Sequence, residues 1–219
     1  MDEHGKFRRQ PPEDRRQALI EATLVCLGRE GHTGLSIRKI SKEAGISIGL
    51  INHHYANKDA LVGHAYEHLS HILLDTVRAQ VAAAGPDPRA RLSACFHGIF
   101  SSSALDRSTL RTWVVFWGMI DHSEAINEAH DRTYAVYRGL LETLLSDIVA
   151  SRKAPPIDVR LAAIGLSAML DGLWLELSLN PTTFARDEAI MLCESWADAL
   201  CNGSMPHLRH AATRAESDN

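Results

Sequence analysis

The chain has 219 residues, 45% of them apolar and 23% charged, with a net charge of −4. That length buries a real core in one large or two small domains, and the balance is that of a soluble globular protein rather than a disordered one. The four cysteines (Cys26, Cys95, Cys193, Cys201) form no CxxC pair and sit in apolar helical contexts, so they read as reduced, buried thiols of a cytosolic protein.

The opening "MDEHGKFRRQ" lacks the apolar segment of a signal peptide, and residues 1–11 read as a basic arm. A first helix is predicted from about Pro12 to Glu30, with the stripe Leu19, Ile20, Thr23, Leu24 and Leu27 and a stop at Gly31. Ser36 caps a second, whose Ile37, Ile40 and Ala44 face inward and which Gly45 ends. Ser47 caps a third, ending near Tyr55. Asn57 starts a long fourth, with the stripe Leu61, Ala65, Leu69, Ile72 and Thr76. Beyond "AGPDP" at 84–88 the composition shifts. Helices follow at roughly Arg89–Ser102, Ser108–Asp121, Ser123–Ser151, Ile157–Leu179 and Asp187–Asn202, before a polar tail at 204–219. Period-2 alternation is absent, so the expected fold is all-α with about nine helices: a head at 12–57 and a larger helical domain at 58–203. The long apolar stretch Leu161 to Leu179 contains Asp171 and Glu176, which a membrane span would not tolerate, so no membrane partner is expected.

Residues 36–55 form a recognisable unit. A helix of about eight residues, a tight turn at "AGIS" and a second short helix is the helix-turn-helix pattern. Gly45 supplies the turn, and small Ala44 lets the helices cross closely. Ile46, Leu50 and Ile51 anchor the second helix, leaving Ser47, Ile48, Gly49, Asn52, His53 and His54 outward. Small and polar side chains at a leading helix end suit the major groove of double-stranded DNA. Charge agrees. Residues 1–62 carry +2 and the remainder −6, and between Ser36 and Lys58 four positive residues (Arg38, Lys39, Lys42, Lys58) face one negative, Glu43.

The stretch "TGLSIRKISKEAGISIGLINHHYANKDALVGHAY" resembles the DNA-binding domain of the TetR family of bacterial repressors. The turn "AGIS", the following Gly49, the aromatic Tyr55, Lys58 and Leu61 carry the likeness. "RTWVVFWGMI" at 111–120 and "AMLDGLWLEL" at 168–177 resemble its choline-responsive BetI-type branch. The resemblance implies phosphate contacts for Ser36, Ser47, Lys58 and, through the duplex backbone, His53 and His54. It implies recognition-helix positions for Ile48 and Leu50, although Leu50 also fits the core. Arg38 matches a position that reads guanine in some members, through a guanidinium that fits O6 and N7. Lys39 and Gly49 belong to the same face. Asn52 stands where many members have Tyr, exchanging a phosphate-reaching phenol for an amide able to pair with adenine. Solvated histidines remain the alternative for His53 and His54.

In the rear domain Trp113 and Trp117 stand one turn apart with Phe116 beside them, and Asp171 and Trp174 share a face. Aromatic faces around one carboxylate suit a cation, above all a quaternary ammonium, and the branch resemblance implies a choline-like effector. Aromatic residues at helical spacing equally fit a plain core. The branch pattern has an Arg near Glu176, a departure that either favours a more cationic ligand or leaves Glu176 solvated. His64, His68 and His71 lie on one face of the fourth helix; a polar interdomain face is expected rather than a Zn²⁺ site, and neither metal nor cofactor is expected. The segment 157–179 is apolar almost all round, so one side needs a partner. Ala162, Gly165 and Ala168 of that helix and Leu192, Trp196 and Leu200 of the last are expected to form a four-helix homodimer interface. The sum is a ligand-responsive transcriptional repressor on a palindromic operator. A ligand-free helix-turn-helix protein and an all-helical enzyme are the alternatives; no nucleophile elbow, HExxH or P-loop supports the latter.

Overall fold

A computed structural model describes residues 11–151 and 157–205. Among the described residues nine α-helices follow one another: α1 (Pro12–Gly34), α2 (Ile37–Ala44), α3 (Ile48–His54), α4 (Lys58–Ala83), α5 (Pro88–Ile99), α6 (Arg107–Trp117), α7 (Glu124–Ser151), α8 (Val159–Leu179) and α9 (Arg186–Cys201), with a 3₁₀ turn at Ile120–His122. The predicted helices are all present. Those over Arg89–Ser102 and Ser108–Asp121 are shorter than expected, because Phe100 and Gly118 end them in turn geometry. The basic arm and most of the polar tail lie outside the described residues.

The helix boundaries have local causes. Ser36, Ser47, Asn57, Asp87, Asp106 and Asp158 each accept from a backbone N–H of the first turn of the helix they precede. Gly31 breaks α1 at φ 69°, so its last residues form a separate turn leading into α2. Gly45 ends α2 at φ 65°, and the bend is closed by Ser41 Oγ donating to the Ile46 carbonyl at 2.6 Å.

Helix α4 joins the head to the body. It packs on α1 in front and on α5 and α7 behind, and its Leu61, Val62, Ala65, Tyr66, Leu74, Val77 and Val81 are buried. Ile72 is a correction to the expected stripe. It is 50% exposed, because the buried face of a straight helix drifts and reaches Leu74 and Val77 instead. Close approach is built in at Gly98 of α5, where a Cβ would lie 2.9 Å from Val77 Cα. Ion pairs tie the elements at the rim: Arg29 to Glu43 at 3.1 Å, Arg132 to Glu67 at 2.6 Å, Arg91 to Asp147 at 2.6 Å and Arg89 to Asp198 at 2.8 Å.

All four cysteines are free, and three are buried. Helix α8 is long and apolar enough to cross a membrane by length and composition, yet one side of it packs on α6, α7 and α9. Its other side exposes Leu161, Gly165, Ala168, Gly172, Leu175 and Leu179 at alternating steps of four and three residues. Of the residues expected at a dimer interface, Ala162 is fully buried and Leu200 nearly so in the chain's own core. Gly165, Ala168 and Leu192 are exposed and Trp196 is half-buried.

The turn at Gly45 gives the first test. Gly45→Ala forces an L-residue into left-handed geometry and is expected to cost about 1–2 kcal/mol. The urea unfolding midpoint should fall, with the loss of protection from hydrogen exchange greatest over residues 36–55.

Candidate DNA-reading face and ligand cavity

In the head, Ile40 and Ile51 are fully buried and Ile46 and Tyr55 nearly so, which locks α2 against α3 and leaves one face of each outward. Arg38, Ser47, Ile48, Gly49, Asn52 and His53 are exposed together on that face, and Ser36 is partly exposed. Leu50 is half-buried and leans on the core. Lys39 is exposed on α2. Its ammonium pairs with Glu30 and donates to the Gly34 carbonyl at 2.9 Å, tying α2 to the end of α1. His54 is half-buried, and burial, followed by nearby His53, Arg16 and Arg15, lowers its pKa. Lys58 opens α4 beside a cleft shared with His32 and His122.

The body contains a cavity of about 90 Å³ walled by α4, α5, α6, α7 and α8. At about 10–15 Å³ for each water-sized group, that is room for on the order of six to nine such groups. Four of the five expected residues line it: Trp113, Trp117, Asp171 and Trp174. Phe116 does not. It is fully buried behind the wall, its ring 5.1 Å from Tyr66 and 6.2 Å from Trp113.

Sequence reasoning missed the rest of the wall. Tyr66, Ser70 and His71 come from α4 and Thr133, Tyr134 and Tyr137 from α7. Tyr134 and Tyr137, three apart, were the available signal. The rings meet edge to face: Trp113 against Tyr66 at 5.4 Å and against Trp174 at 6.4 Å. The Tyr66 hydroxyl lies 2.8 Å from His130 Nδ1, and burial pushes its pKa up to about 12, so it is a neutral phenol.

Asp171 is the one acidic side chain in the lining. Tyr134 donates its hydroxyl to Asp171, and Arg138 lies 5.2 Å from the Tyr134 ring centre. Burial raises the Asp171 pKa, while the Tyr134 hydrogen bond and the positive field of Arg138 pull it back. The indole N–H groups of Trp113 and Trp174 are buried with no hydrogen-bond partner among the described residues. An aromatic box with a single carboxylate can hold a small cation by cation–π attraction and charge neutralisation together.

The comparisons with known proteins follow the same division. Residues 19–65 match the family described as bacterial regulatory proteins, tetR family, and residues 88–202 match the BetI-type transcriptional repressor C-terminal domain. The HTH-type transcriptional regulator BetI of Yersinia pestis (strain Pestoides F) is 33% identical over 191 residues, 86% of this chain and 93% of that protein. Its counterpart in Paraburkholderia phymatum is 31% identical over 189 residues, again 86% and 93%. A crystal structure of a transcriptional regulator from Pseudomonas aeruginosa PAO1 superposes with a TM-score of 0.86 at 45% identity, covering 95% of this chain and all of that one. A regulator from Saccharomonospora viridis, solved in complex with choline, shares the fold at a TM-score of 0.75 and 18% identity, over 85% and 96% of the two chains. The chain belongs to the TetR family of bacterial transcriptional regulators, with a BetI-type C-terminal domain: it is a DNA-binding repressor with a ligand-binding rear domain, not an enzyme.

Proposed function

We propose that the protein is a cytoplasmic homodimer that binds a palindromic operator and is released by a small quaternary ammonium effector of the choline type. The observation that carries the effector is the half-buried Asp171 carboxylate set in a wall of three tryptophans and three tyrosines. A quaternary ammonium cannot donate hydrogen bonds, so it is held by ring faces and by charge, and this cavity offers both. Support for the class also comes from the BetI name of the relatives and the choline in the Saccharomonospora regulator.

Dimerisation fits the exposed α8 stripe. Three small residues, Gly165, Ala168 and Gly172, lie there between leucines, and Met191 and Leu192 of α9 are exposed apolar residues. Two such helices from each copy would make a four-helix interface and present two heads to a two-fold site. On the head, Arg38 is the base-reading candidate, with Ile48, Gly49 and Asn52 toward the groove and Ser36, Ser47, His53, His54 and Lys58 toward the backbone. Effector binding must favour the form that does not bind DNA; a coupling of about 1–3 kcal/mol between the two sites suffices for switching.

Three outcomes test this reading. Arg38→Ala should weaken binding to the operator duplex by about 1–3 kcal/mol and relax preference at one base pair, read by fluorescence anisotropy against a set of single-base variants. Asp171→Asn should cost about 2 kcal/mol or more in choline affinity by calorimetry, with operator affinity unchanged. Thermal stability of the unliganded variant should be kept or raised, because a buried charge has been removed. Finally, a cation needs the ionised carboxylate. Since burial raises the Asp171 pKa, choline affinity should be full above that raised value and fall as pH drops through it, beginning at a higher pH than an exposed aspartate would give. A flat affinity profile through the carboxylate range would remove Asp171 from the site.

A further inference from the structure

Tyr134 belongs to two walls. It lines the aromatic cavity, and it also lines a second cleft of about 390 Å³ on α7, where Arg138, Gly139 and Glu142 stand with it. Three contacts hold its side chain. Its hydroxyl donates to Asp171, its ring lies 4.9 Å from that of His130, and the Arg138 guanidinium lies 5.2 Å from the ring centre. Asp171 and Arg138, opposite in charge, therefore flank one aromatic side chain, the acid in the inner space and the base in the outer.

Arg138 differs from the arginines around it. Arg132 of the same helix is paired with Glu67, Arg91 with Asp147 and Arg89 with Asp198. Arg138 is half-buried, and its Nε is buried without a hydrogen-bond partner among the described residues. An idle buried donor on a charged group costs stability until something accepts from it. The charge also reaches the box. Burial raises the pKa of both Tyr134 and Asp171, and the field of Arg138 opposes that rise in each. Arg138 is the only Lys or Arg that lines either space. Asp131 and Glu142 border the same cleft and oppose an anion there. The seat for an anion is therefore narrow: the Nε edge of Arg138, and not the cleft as a whole.

We infer that Arg138 is an anion subsite of the effector site: the ligand is a zwitterion whose quaternary ammonium sits in the box by Asp171 and whose short tail passes Tyr134 to set a carboxylate or phosphate on Arg138. This rests on the cationic reading of the box. A hydroxyl tail leaves the guanidinium charge unanswered. An anion answers it with two parallel N–H···O bonds, one of them from Nε.

Choline and phosphocholine share one ammonium head and one spacer and differ by the phosphate; carnitine carries a carboxylate instead. Calorimetry on the full chain gives the three affinities. The readout is the ratio of each zwitterion to choline, in which any general change to the box cancels. At least one zwitterion should bind more tightly than choline, and which one does tells phosphate from carboxylate. Arg138→Gln should lower that ratio by about tenfold or more, the loss of a charge-assisted contact. Gly139→Glu is the second variant. A Cβ at that position meets nothing within 4 Å, so the helix keeps its packing while the new acid competes for Arg138, and the ratio should fall in the same direction. Choline binding at least as tightly as both zwitterions, or a ratio that neither variant moves, overturns the anion subsite and leaves the cation box standing. Failure of all three compounds to bind removes the box and the subsite together.

Discussion

Everything in this molecule depends on α4 belonging to two cores at once. Its first turns bury Leu61, Val62 and Ala65 at the junction with the head, and its later turns bury Leu74, Val77 and Val81 against the body. The backbone between them is one unbroken ladder of helical hydrogen bonds, 26 residues long. The head and the body also meet directly, because α1 packs on α6 as well as on α4.

The rear cavity is an exception to how the body is otherwise built. Elsewhere the interior is filled by aliphatic side chains, Phe96, Phe100 and Phe116 and small residues. Around Asp171 it is lined by rings whose indole N–H groups lack partners, and by a carboxylate whose burial raises its pKa. Each of these features costs stability in the unliganded chain. Retained cost concentrated in one place is what a functional site shows. The Tyr134 hydroxyl donates to the Asp171 carboxylate and so supports it.

The helices were legible because their signals are local. Ser36, Ser47 and Asn57 cap through atoms three residues away, and Gly45 turns the chain through its own φ. The helix-turn-helix arrangement was legible for the same reason: two short helices joined by a glycine bend leave few ways to arrange their apolar residues. The errors lie where a side chain's partner is distant in sequence. The pairing of Lys39 with Glu30, nine residues earlier, has no signal in the local pattern. Phe116 shares a helix turn with Trp113 yet lies behind the cavity wall.

Helix α8 shows the same division. Composition alone marks α8 as needing cover on every side, since an apolar helix exposed to water loses free energy around its whole circumference. Which side its own chain covers depends on where α6, α7 and α9 pack, and that placed Ala162 and Leu200 inside while leaving Gly165, Ala168 and Leu192 outside. The sequence by itself determined the all-helical architecture, the helix-turn-helix face and the presence of aromatic residues near one acid, because periodicity, capping and turn chemistry act over a few residues. Only the tertiary structure decided that Tyr66, Tyr134 and Tyr137 complete the box around Asp171, because contacts between helices depend on crossing positions that no single segment encodes.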